Sequence, residues 1–185
     1  MRIIQKDCEV DSDVNNRIQA GWVKWRKATG IICDRKVKDK IKGKFYRTAI
    51  RPAMLYGSEC WALKRKHEHK MAVAEMRMLR WMCGHTIKDR IYNDHIRERV
   101  GVTSIAEKMV ESRLRWFGHV QRRELDEPVR TVDQMVWSPY KRGRGRPKRT
   151  LNDIIQRDLL INNISPSMAI DRTQWRRVIH VADPT

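Results

Sequence analysis

The run Ser104-Ile105-Ala106-Glu107-Lys108-Met109-Val110-Glu111-Ser112-Arg113-Leu114-Arg115-Trp116-Phe117-Gly118-His119 reads as a helix from its first residue. Ser104 and Glu107 have capping-box form, in which the serine oxygen and the glutamate carboxylate satisfy first-turn amides reciprocally. Behind that cap, Ala106, Val110, Leu114 and Phe117 recur at spacings of 4, 4 and 3, one apolar stripe on the helical period. Gly118 is expected to loosen or end the helix.

The same reading extends outward in both directions. Upstream, Met71, Ala74, Met78 and Trp81 follow a 3, 4, 3 pattern over about 66–83, with Leu79 and Met82 widening the stripe. This methionine-rich face suits a core, and Gly84 fits the position just past the helix end. Leu79-Arg80-Trp81-Met82-Cys83-Gly84-His85 and Leu114-Arg115-Trp116-Phe117-Gly118-His119 resemble each other. A duplicated unit accounts for that, and so do two helices closed by the same Trp-and-Gly chemistry. Between them, 87–102 reads as a loop and a short helix capped near Asn93 or Asp94, with Ile96 and Val100 inward.

Further upstream, Ser12 or Asp11 caps a first helix with Val14, Ile18, Gly21/Trp22 and Trp25 on one stripe, ending near Thr29-Gly30. A second helical region covers about 35–62. Val37, Ile41 and Phe45 are expected on its inner face, followed by Ala49, Ala53 and Tyr56, and Pro52 should kink or restart it. Within 35–51, eight cations (Arg35, Lys36, Lys38, Lys40, Lys42, Lys44, Arg47, Arg51) stand against one acid, Asp39, for a local charge of +7. Downstream, Thr150 caps a helix to about Asn162 with Ile154, Ile155 and Leu159 apolar. Ser165-Pro166 opens another, and a last one begins near Asp171 with Trp175 and Ile179 four apart. The chain is all-α on this reading, a helical bundle plus further helices joined by a basic, mobile loop. A short strand at 2–5 is the one extended segment allowed.

Composition narrows the function. The 185 residues carry a net charge of +18, 34% charged and 41% hydrophobic side chains. A cationic field of that size favours polyanions, nucleic acid before anionic membrane. No apolar run approaches the ~20 residues of a membrane span. Residues 1–20 hold four acids and no apolar core, unlike a secretory signal. Nuclear or cytoplasmic residence with reduced thiols is expected, since the four cysteines form no Cys-x-x-Cys pair. Cys83/His85 and His67/His69 lack zinc-ligand spacing. There is no nucleophile elbow, no phosphate-binding glycine loop and no Asp-Asp pair to hold magnesium. No catalytic residue, metal or cofactor is therefore expected.

Lys141-Arg142-Gly143-Arg144-Gly145-Arg146-Pro147-Lys148-Arg149 holds six basic residues and no acid. It has nothing to bury, so it should be a displayed loop whose arginines need an anionic partner. Arg144-Gly145-Arg146-Pro147 resembles the core of an AT-hook, which lies in a narrow minor groove. A general phosphate tether, a nuclear-transport signal and an inert linker are the other readings.

A longer resemblance runs through the chain. The segment from Phe45-Tyr46-Arg47-Thr48-Ala49-Ile50-Arg51-Pro52 to Ala53-Met54-Leu55-Tyr56-Gly57-Ser58-Glu59-Cys60-Trp61 resembles the thumb of reverse transcriptases from LINE-type non-LTR retrotransposons. In order there follow Glu75-Met76-Arg77-Met78-Leu79-Arg80-Trp81, Arg97-Glu98-Arg99-Val100-Gly101-Val102, Arg113-Leu114-Arg115-Trp116-Phe117-Gly118-His119-Val120 and Gly143-Arg144-Gly145-Arg146-Pro147-Lys148. Asp171-Arg172-Thr173 through His180-Val181-Ala182-Asp183 completes the series. Cys8 departs from the family pattern, which has a glycine turn there.

The resemblance implies a C-terminal remnant. In that family the palm with its Tyr-x-Asp-Asp motif lies just upstream of the stretch matching 3–14, so fingers, palm and endonuclease would be missing and polymerase activity with them. It divides the chain into thumb-like helices (1–63), a post-thumb helical region (64–122), a linker with the basic loop (123–149) and C-terminal helices (150–185). A thumb holds primer–template by its backbone without reading sequence. Lys40, Lys44, Arg47 and Arg51 are then expected on the duplex backbone, and Arg142, Arg144, Arg146, Lys148 and Arg149 form a second contact. The expected partners are an RNA–DNA hybrid or DNA duplex, and a palm-and-fingers chain or a second copy, with no membrane. The alternative is a helical interaction module that self-associates through its thumb face.

Overall fold

The structure is a computed structural model that describes residues 10–135 and 149–184. Helices α1 (Asp11–Lys27), α2 (Thr29–Ile32), α3 (Asp39–Phe45), α4 (Arg51–Leu55), α5 (Arg65–Met82), α6 (Asn93–Val100), α7 (Ile105–Gln121), α8 (Pro128–Gln134), α9 (Leu151–Ile161) and α10 (Arg172–Ile179) follow in order. A π-helical turn, Tyr46–Ile50, joins α3 to α4, and 3₁₀ turns at Ser58–Cys60, Ile87–Asp89 and Pro166–Ile170 fill three connections. The fold is all-α, with no strand among the described residues. The strand expected at 2–5 lies outside them.

The organising element is α7. Ser104 Oγ accepts the Glu107 amide, as the cap requires. The inward set is broader than a single stripe, because α7 is packed on more than one side. Ile105 and Met109 enter a first core with Val14, Trp25, Tyr46, Ile50, Met54, Met71, Met78, Leu79, Ile96 and Val100. Leu114 and Phe117 belong to a second core with Ile155, Leu159, Ile164, Ala169, Trp175 and Ile179. The first core draws on both sides of residue 63, so its packing runs across the segment boundary placed there.

Gly118 does not end α7, which continues to Gln121. A Cβ at Gly118 would stand 2.2 Å from Trp175 Nε1. The glycine is therefore a contact point that lets α10 lie against α7. The Trp175 indole donates to the Leu114 carbonyl at 3.0 Å, which satisfies its buried N–H.

The second helical region departs most from its expected face. Ile41 and Tyr56 are exposed, whereas Lys42, Tyr46, Ile50 and Met54 are buried at four-residue spacing. Two causes are visible. Gly43 packs so closely on Val100 that a Cβ would come 1.9 Å from the Val100 carbonyl oxygen. The π turn then rotates the chain before Pro52, whose missing N–H and bulky ring the wider turn accommodates. Lys42, counted among the cations of a basic surface, is internal: its ammonium donates to the Met82 carbonyl at 2.8 Å, closing the C-terminus of α5. Gly43→Ala is expected to destabilise the fold by about 1–3 kcal/mol, measured as a drop in the urea midpoint. The neighbouring atom is backbone and cannot swing away.

A buried carboxylate ties the first core together. Glu75 accepts from Tyr46 Oη (3.0 Å) and from the Ile105 amide (3.1 Å) and lies 3.4 Å from Arg97. The Ile105 amide is a first-turn donor of α7 without an intrahelical partner, so Glu75 fixes where α7 begins. Burial pushes the Glu75 carboxyl above its ordinary range, against these favourable contacts. Downstream, Thr150 and Asp153 form a reciprocal cap for α9, and Asp171 accepts from the Thr173 and Gln174 amides to start α10. Gly84, at φ 72°, occupies the left-handed position after α5.

Candidate nucleic-acid interface

The close crossing of α7 and α10 at Gly118 creates a concave site. Arg115, Trp116 and His119 on α7 and Arg122 and Arg123 just past its C-terminus line one side, and Arg172 and Arg176 lie one turn apart on α10. With Glu59, Ser112 and Trp175 they line a groove of about 750 Å³. Five arginines thus face one acid, Glu59. Trp116 stacks obliquely on His119, with centroids 5.4 Å apart and planes at 32°.

The arginines differ in how they are held. Arg115 is paired with Glu111, and Arg123 with Glu127 at 3.2 Å. Arg122 donates to the Ala169 carbonyl, which pins it beside α10. Among the described residues no carboxylate lies within ion-pair distance of Arg122, Arg172 or Arg176. Partial burial, together with the Arg172 and Arg176 charges, pulls the Arg122 guanidinium below its ordinary pKa. Three like charges converging on the groove, without a counter-ion among the described residues, repel one another until an anion arrives.

A second groove of about 530 Å³ shares Glu59, Ser112 and Arg115 with the first and continues past Arg47, Arg51, Tyr56 and Lys108 to His180. Together the two form one trough. Its second half is closer to charge balance, because the C-terminal tail returns to it. Arg51 makes a two-pronged pair with Asp183, at 2.8 and 2.7 Å. The Thr103 amide donates to the same carboxylate at 2.9 Å, and Arg47 stands 3.8 Å away. Thr103 Oγ1 donates to the Ala182 carbonyl at 2.7 Å, and Lys108 to that of Val181. Tyr56 lies open at the edge, with the Arg17 guanidinium 4.8 Å from its ring centre.

The residues chosen from the sequence therefore have different fates. Arg47 lines the trough. Arg51 lines it too but is only 7% exposed. Both its terminal nitrogens are turned onto Asp183, which competes with the nucleic-acid backbone expected there. Lys40 and Lys44 are exposed on α3 and line neither groove. Arg149 is exposed just ahead of α9. Arg142, Arg144, Arg146 and Lys148 lie outside the described residues. Arg115, Arg122, Arg123, Arg172 and Arg176 are not among the residues expected from the sequence, where the local signals for them are the caps of α7 and α10 and the four-residue spacing of Arg172 and Arg176.

Although burial raises the Asp183 carboxyl, the Arg51 pair and the Thr103 amide outweigh it and bring the group down to about 2. A carboxylate with a depressed folded pKa stabilises the fold fully above its unfolded value. That contribution is lost as pH falls through the folded one. Thermal unfolding of the native chain should accordingly weaken between about pH 4 and pH 2, and Asp183→Asn should flatten that limb while lowering the plateau above it.

No described helix is long and apolar enough to cross a membrane. In sequence, the chain is 25% identical over 183 residues to an uncharacterized transposon-derived protein of Caenorhabditis elegans, a match covering 90% of this chain. The chain spans 63% of that protein's length. No family model matches it, and no solved structure does. The likeness points to a transposon-related origin.

Proposed function

We propose that the chain binds nucleic acid by its sugar–phosphate backbone and positions it without polymerising, as the thumb and post-thumb part of a reverse-transcriptase-like protein of a LINE-type retrotransposon. The observation that carries this reading is the trough, above all the five arginines facing one acid along α7 and α10. Guanidinium groups suit phosphate because their rigid fork offers paired donors, and contacts of this kind fix register on a strand without reading bases. The net charge of +18, the transposon-derived relative and the ordered series of thumb-like motifs support the same reading. The test is a binding titration with an RNA·DNA hybrid, a DNA duplex and single-stranded RNA at two ionic strengths. Affinity should fall steeply as salt rises. Absence of binding in dilute buffer, or an affinity indifferent to salt, would overturn the proposal, and primer extension by the chain alone would overturn its non-catalytic part.

A different surface favours the reading as an interaction module. Trp22, Trp81 and Ile87 line a groove of about 560 Å³ edged by Arg77, Arg80 and Lys88. Trp81 is 59% and Ile87 72% exposed. Sedimentation showing concentration-dependent dimers that Trp81→Ser abolishes would support it. The AT-hook reading rests on Arg144 and Arg146 alone.

A further inference from the structure

Resting on the nucleic-acid reading above, we infer that the groove between α7 and α10 takes an unpaired strand running off a duplex. One base would lie against Trp116, with the adjoining phosphates on Arg122, Arg172 and Arg176.

Shape is the first argument. The groove lies where two helices touch at Gly118, with its lining drawn from both of them and from Glu59. A duplex carries its phosphates on a convex surface and reaches the exposed arginines, Arg115, Arg123, Arg172 and Arg176. Arg122 and Trp116 are recessed, half-buried on the inner wall. An unpaired nucleotide is slender enough to enter and reach both.

Chemistry is the second. Stacking needs a flat π-face that is held still. Trp116 provides one, with the His119 ring stacked obliquely on it. A phosphate beside a stacked base needs cations that are not already neutralised, and Arg122, Arg172 and Arg176 have no carboxylate beside them among the described residues. Aromatic platforms alternating with cations are how single strands are held regardless of sequence. At the other end of the trough the cations are already matched by Asp183. The unpaired strand is thus directed to the recessed Trp116 and Arg122 of the α7–α10 end, and the duplex to the exposed arginines along the trough.

The test uses the full chain and fluorescence anisotropy with three RNA·DNA hybrids: blunt, with a tail of about five unpaired nucleotides, and with the same tail made abasic. The tailed hybrid should bind roughly tenfold more tightly than the blunt one, and the abasic tail should forfeit most of that gain. Trp116→Ala should bring the ratio of tailed to blunt affinity close to one, while Trp116→Phe should keep most of the native ratio. Equal binding of blunt and tailed hybrids by the native chain would overturn this inference and leave the backbone-binding reading standing. So would a tail advantage that survives both Trp116→Ala and Arg172→Gln/Arg176→Gln. Failure to bind any hybrid would overturn both.

Discussion

Asp158→Ala should lower the free energy of unfolding by about 3–5 kcal/mol, enough to unfold much of a marginally stable population. Asp158 on α9 is 3% exposed and Arg113 on α7 is 1% exposed. They meet through two nitrogens, at 2.7 Å from Nε and 2.6 Å from Nη2. The pair stands where α7 and α9 close the second core. Removing the carboxylate leaves a guanidinium that cannot shed its proton, buried with Nη1 already lacking a partner. The comparison that isolates the cause is Arg113→Met/Asp158→Leu. Replacing both charges by apolar groups of similar size should be close to neutral or mildly stabilising, because the desolvation penalty disappears along with the attraction. Urea unfolding of the native chain and both variants separates the cases. A loss below about 1 kcal/mol for Asp158→Ala would mean that water reaches the pair.

That pair also governs the candidate interface, because the second core is what seats α10. Trp175 is held between Phe117 and the Leu114 carbonyl. The orientation of Arg172 and Arg176 follows from that anchor, three residues before it and one after it. A chain loosened at Asp158 should therefore lose the groove before it loses the first core, whose Glu75 network lies at the other end of α7.

Local rules were sufficient wherever a segment's partners are near in sequence. The Ser104 cap, the Thr150 cap, the αL glycine at Gly84 and the Trp175–Ile179 pair were all legible because each depends on residues within one or two turns. The inner face of the second region was not, since its burial is decided by Val100 against Gly43, by Met82 accepting from Lys42 and by Asp183 pairing with Arg51. Those partners are 40 to 132 residues away, and a count of charges treats a lysine that closes another helix like one in water. Gly118 misled for the same reason: glycine near a helix end usually means termination, and only the position of Trp175 shows that it marks a crossing. The basic trough inherits that blindness. Arg115 on α7, Arg122 and Arg123 just past its end, and Arg172 and Arg176 on α10 look like separate solvated faces until the crossing brings them to one groove.

Arg115→Gln/Arg172→Gln/Arg176→Gln should weaken hybrid binding several hundredfold near 0.1 M salt and reduce the salt slope by about three units. Each phosphate contact contributes roughly 0.9 to the slope of log K against log salt, so three lost contacts account for both figures. Glutamine keeps the aliphatic stem, and all three positions are exposed, so unfolding free energy should move by no more than about 0.5 kcal/mol each. The decisive comparison is Lys40→Gln/Lys44→Gln. Those lysines belong to the basic face read from the sequence, yet they line neither groove. If the trough is the interface, the α3 double variant should change the slope by less than one unit. Were it to cost more than the triple variant, the duplex would lie on α3 and the α7–α10 arginines would be incidental to it. The two surfaces are on separate helices, so one set of titrations at several salt concentrations decides between them without a structure of the complex.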